Sequence, residues 1–154
     1  PARAPAPADP AAALDPDAAY ARALALGQAR RCVASLPYFR RAAEAPGGVA
    51  WQISHDYSSA LANAALEGRT VAGLGQRVVR SSVERVAMMR ESFRQLDIAE
   101  ANAGAAHDRA FLEAVRGNTL ATWGFPLEAI ECYHRAASLD RTMKPSPMLP
   151  PPRR

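Results

Sequence analysis

Between Ala110 and Thr142, the residues that most restrict a backbone fall in the order that two antiparallel helices joined by a tight turn require. Gly117 lies midway along the first predicted helix, where a second helix can cross closely and a side chain would clash. Leu120 follows three residues later on the same face. Gly124 closes that helix, because a left-handed or tight backbone suits glycine. Pro126 then opens the second helix, where its missing N–H is no loss. Ala129, Tyr133 and Ala136 come next at spacings of four and three, so they share one helical face.

Small-aromatic-small on that face, behind the two spaced glycines, resembles the tetratricopeptide (TPR) repeat, a 34-residue helical hairpin. Two positions depart from the family frame. Glu113 stands near the place of the large early aromatic, and Arg141 replaces the closing proline. The resemblance implies that Gly117, Leu120, Gly124, Ala129, Tyr133 and Ala136 are packing positions. It also implies a scaffold that holds other chains, not an enzyme. TPR arrays bind peptides or helices in a groove lined by their first helices, and Asn118 falls where peptide-binding members often clamp a ligand. The cationic partner of such a clamp would be Ala114, so Asn118 stands alone as the possible partner contact.

Composition narrows the rest. A length of 154 residues, rich in Ala and Leu with 6% aromatics, favours one helical domain over a sheet. No run reaches the roughly 18 apolar residues of a membrane span. The net charge of +4 would suit nucleic acid, but the basic residues are scattered and all but Lys144 are arginine. A nucleic-acid footprint is a clustered stripe, so nucleic acid is not an expected partner. Cys32 and Cys132 do not form a CxxC motif, and helical cysteines are commonly small buried hydrophobes.

Candidate chemistry is sparse. His55 precedes Asp56, His107 precedes Asp108, and His134 follows Glu131 by three. Adjacent residues on a helix point about 100° apart, so shared ligation by these pairs is not expected. Ser58, Ser59, Ser81 and Ser82 lack the surroundings of a nucleophile elbow or an SxxK motif. No catalytic, cofactor-binding or metal-binding residue is assigned, and no cofactor is expected.

Along the chain, residues 1–14 are expected to be a flexible Pro/Ala-rich arm, residues 15–142 a TPR-like helical domain, and residues 143–154 a Pro-rich tail. Asp15-Pro16-Asp17 is a helix start. The helix behind it carries Tyr20, Leu24, Ala29, Cys32, Val33 and Leu36, and Pro37 is expected to interrupt it or begin another. Phe39 and Ala42 give the segment after Pro37 the look of a second TPR helix. A third helix is predicted from about Val49 to Glu67, with Trp51, His55, Leu61, Ala64 and Ala65 among its inward positions. Gly73 and Gly75 mark a loop or a loose turn. Ser81 and Glu84 fit a capping box, with Ser82 as the other candidate cap. Behind them Val86, Met89, Phe93 and Leu96 form an amphipathic stripe read as core.

The expected fold is therefore all-α: antiparallel helical hairpins in a TPR-like solenoid or small bundle, with disordered Pro-rich ends. The expected function is that of a non-catalytic accessory subunit docking on a larger protein complex. The decapeptide PARAPAPADP resembles the tether behind a removed signal or an anchor, which favours export to the periplasm over retention in the cytoplasm. Accessory subunits of membrane-attached respiratory dehydrogenases are one class of exported helical protein with such arms. The alternative is a free TPR adaptor that binds a short peptide.

Overall fold

The computed structural model describes residues 9–44, 50–66 and 82–143. Among these the fold is all-α, with six helices and no strand: α1 (Pro16–Gln28), α2 (Cys32–Ala43), α3 (Trp51–Leu66), α4 (Ser82–Asn102), α5 (Ala106–Thr122) and α6 (Pro126–Leu139). Each helix packs mainly on its neighbour in sequence. The pairs α1–α2, α3–α4 and α5–α6 are extensive, α2 also packs on α3, and α4 meets α5 over a smaller area.

The start of α1 follows from its sequence. Asp15 Oδ1 accepts from the Ala18 N–H at 2.9 Å, and Pro16 occupies the first turn. The expected arm is folded at its last residues. Asp9 Oδ1 accepts from the Ala11 N–H at 2.9 Å, Ala11 is fully buried, and Arg41 Nε donates to the Leu14 carbonyl at 2.9 Å. Residues 1–8 and the tail from 144 onward lie outside the described residues, as do Ser81, Gly73 and Gly75.

The first predicted helix is two helices, and the break precedes Pro37. The α1–α2 connector is Ala29-Arg30-Arg31, with Arg30 at φ 56°. The Arg31 N–H reaches the Leu26 carbonyl and the Arg30 N–H the Gly27 carbonyl, each at 2.9 Å, which is a Schellman ending. Pro37 lies inside α2. A proline there removes one helical donor, yet Leu36 and Phe39 on either side are buried, and their packing holds the helix together.

The α5–α6 connector, Trp123-Gly124-Phe125, repeats the same geometry. The Phe125 N–H reaches the Leu120 carbonyl at 2.9 Å and the Gly124 N–H the Ala121 carbonyl at 3.1 Å, with Gly124 at φ 90°. Pro126 then opens α6.

Two clusters form the core. Ala23, Leu36, Phe39, Tyr57, Leu61 and Ala64 join α1, α2 and α3, with the Phe39 and Tyr57 rings stacked at 5.8 Å. Leu96, Ala99, Ala103 and Leu112 join α4 to α5. The stripe expected on α4 is core at its C-terminal half: Leu96 is fully buried and Phe93 packs against the same cluster, whereas Val86 is 44% exposed. Ser92, Gln95 and Ala99 share the buried face. Small polar residues permit this. Ser92 Oγ donates to the Ser58 carbonyl at 3.0 Å, which leaves Ser58 Oγ to donate to Ser92 Oγ at 2.9 Å. With no bulky chain between them, α3 and α4 approach closely on that side, and every hydroxyl proton of the pair is used.

Candidate functional site

The first helices of the hairpins, α1, α3 and α5, share a strip of rings and polar groups. Tyr20 on α1 donates its hydroxyl to Asp56 Oδ2 on α3 at 2.6 Å. Asp56 Oδ1 lies 2.9 Å from His55 Nδ1. Burial opposes ionisation of Asp56, but the hydrogen bonds from His55 and Tyr20 outweigh it and hold the carboxyl below its ordinary range. An ionised carboxylate can only accept, so His55 carries a proton on Nδ1. Burial and the Asp56 bond together push the Tyr20 phenol upward, so it stays a donor.

Across the imidazole stand two more rings. Trp51, one turn back on α3, meets His55 edge-on at 6.3 Å between centroids. Phe111 on α5 lies 5.1 Å from His55 and 6.2 Å from Trp51. Phe111 remains 37% exposed, and Trp51 and His55 are half-buried. Such contacts are the edge-to-face and tilted geometries that aromatic pairs favour. The strip therefore holds α3 to α5 while keeping ring surface open to solvent.

Asn118 lies two turns beyond Phe111 on the same side of α5. Its side chain is exposed, and its Oδ1 accepts from the Tyr133 hydroxyl at 2.6 Å. The expected contact residue is thus tied to the second helix of its own hairpin. That same ring lies over Gly117, where an added Cβ would sit 2.8 Å from Tyr133 Cε1 and 3.1 Å from the Ala129 carbonyl oxygen. Ala129 and Ala136 are buried beside it, and Leu120 and Tyr133 are half-buried.

Ion pairs lock the neighbouring helices. Arg116 on α5 reaches Asp97 at 2.7 Å and Glu100 at 2.9 Å on α4, with its guanidinium 5.9 Å from the Phe93 ring centre. Arg135 on α6 pairs with Glu113 on α5 at 3.0 Å. Cys32 and Cys132 are not joined to each other. Cys132 is buried on α6, and burial pushes its thiol upward.

His55 hydrogen-bonds its sequence neighbour Asp56, whose other oxygen accepts from Tyr20. His107 bridges to Asp140 at the far end of α6. Among the described residues no cluster of His, Cys, Asp and Glu could hold a metal ion, and no helix is long and apolar enough to cross a membrane.

Sequence reasoning placed Trp51 and His55 inward but did not connect them to Tyr20 or Phe111. The available signal was scarcity: in a chain with 6% aromatics, a large ring on each of three first helices marks a shared face. The chain matches no family model, no curated protein and no solved structure.

Proposed function

We propose that the protein is a non-catalytic docking subunit that presents the face formed by α1, α3 and α5 to a larger protein partner. The observation that carries this reading is the half-exposed strip of Tyr20, Asp56, His55, Trp51 and Phe111, continuous over three helices. Aromatic rings held rigid in place bury large area at small entropic cost, which is why they dominate protein interfaces. The matching Schellman connectors of α1–α2 and α5–α6 support a repeat origin for the hairpins and hence the TPR-like scaffold. The Pro-rich segments suit an exported accessory subunit, with membrane-attached respiratory dehydrogenases as the class of complex to examine.

Purification from the native host in mild detergent, followed by mass spectrometry of what coelutes, tests the reading. One partner set at constant ratio is expected, with Phe111→Ala releasing it and Asn118→Ala retaining it. A free monomer would sink the subunit reading. The second reading is a peptide adaptor, favoured by the exposed position of Asn118 on the Phe111 side of α5. In that case a short peptide binds the monomer, and Asn118→Ala weakens it.

A further inference from the structure

The chain leaves α6 beside the aromatic strip. Asp140, at the end of α6, bonds to His107 at the start of α5. Its other oxygen accepts from the Thr142 N–H at 2.8 Å and from the Thr142 hydroxyl at 2.7 Å. The chain is therefore held at the start of α5 as far as Thr142. His107 and Phe111 stand four apart on α5, so their side chains are neighbours on one helix face. The exit thus lies about one turn from the first ring of the strip.

Beyond it come Lys144, five prolines within residues 145–152, and Arg153-Arg154, all outside the described residues. Such a sequence is of the polyproline II type, which docks on aromatic-lined grooves at small entropic cost. Its reach suffices. Eight residues of polyproline II span about 25 Å, and contacting helices stand roughly 8–10 Å apart, which puts α1 about 20 Å from α5 across α3.

The charges agree as well. Asp108 lies three residues before Phe111 on α5, and Asp17 three before Tyr20 on α1. Neither has an ion pair among the described residues. The strip thus has an acid at each end and rings between, and the proline segment has cations at each end. The Pro/Ala-rich start of the chain is placed elsewhere: Arg41 of α2 donates to the Leu14 carbonyl and Ala11 is fully buried, so the chain enters against α2.

We propose that residues 145–152 lie across the aromatic strip of their own chain, with Lys144 toward Asp108 and Arg153-Arg154 toward Asp17, and compete there with any docking partner. The inference rests on the strip being the docking face.

The test compares NMR spectra of the full chain with those of a triple variant, Pro150→Ala, Pro151→Ala and Pro152→Ala. The Phe111 amide and the Trp51 indole N–H should shift between the two, at every protein concentration. The free peptide KPSPMLPPPRR should bind the triple variant at these groups. It should bind the unaltered chain about tenfold more weakly, because a short tether holds the competing segment at an effective concentration on the order of mM. Asp17→Asn in the triple variant should weaken the peptide by about two- to fivefold, the usual worth of one exposed ion pair. No shift on replacing the prolines, equal peptide binding by both chains, or shifts that grow with concentration, as a second copy's tail would give, would each overturn the proposal. Co-purification separates this result from the docking reading. A partner lost with Phe111→Ala while the tail test fails removes the tail contact alone. A strip that takes the tail but retains no partner removes the docking reading alone.

Discussion

The hairpins α1–α2 and α5–α6 are joined by the same three-residue turn, yet they stand in unlike surroundings. In the first, the second helix is covered: Phe39 is 2% exposed and stacked on Tyr57 of α3. In the second, α6 packs on α5, with Tyr133 half-buried and Leu127 74% exposed. The Phe39 ring is a core element, whereas the Tyr133 ring is a lid over Gly117 tethered to Asn118. A hairpin's shape is thus set locally by its turn, while its stability depends on what stacks against its second helix. Repeat proteins divide their free energy in this way, between units and interfaces.

The largest test of that contrast is to remove each ring. Phe39→Ala should cost about 3–5 kcal/mol, the usual toll for a buried phenylalanine. Tyr133→Ala should cost roughly 1–2 kcal/mol, within the common range for a partly exposed site. Urea denaturation measures both. Equal losses would break the comparison.

A smaller test exchanges the turn residues. Arg30 holds a left-handed conformation at φ 56°, whereas Gly124 occupies its counterpart at φ 90°. Arg30→Gly should stabilise by about 0.5–1 kcal/mol, and Gly124→Ala should destabilise by about 1 kcal/mol or more. Opposite signs at equivalent places would sharpen the equivalence of the two connectors. Thermal unfolding of the two variants reads the difference.

The smallest effect is set by pH. The bond from His107, followed by those from Thr142, draws the Asp140 carboxyl from 3.8 down to about 2. A carboxyl depressed by folding adds stability that is present above its unfolded value, and that stability is lost as pH falls through the folded one. The α5–α6 hairpin should therefore loosen before α1–α2 between about pH 4 and pH 2. Asp140→Asn should remove that difference, as judged by amide exchange at both hairpins.

The two connectors also show what could be read in the sequence. Gly124 and Pro126 impose backbone angles by their own chemistry, so the α5–α6 turn was legible. Arg30 has no such preference; its left-handed angle is enforced by the Schellman bonds and the packing on either side. That left Pro37 as the apparent break. The buried face of α4 was legible only in part. Phe93 and Leu96 fall on the apolar stripe and are core, but Ser92 and Gln95 look solvent-facing, and the pairing of Ser92 with Ser58 on α3 leaves no mark in the pattern of one helix. The aromatic strip joins residues far apart in the chain, which helical periodicity within one segment does not register.

The packing of each helix on its neighbour in sequence has a kinetic consequence. Most native contacts close short loops, so little chain entropy is lost before a contact forms. Chains of that kind reach their native state quickly, and each unit can nucleate by itself. The α1–α2 turn must settle Arg30 into a disfavoured angle, while the α5–α6 turn starts from glycine. Assembly should thus begin with the more pliable turn near the C-terminal end, and the better-buried hairpin should be the slower to come apart.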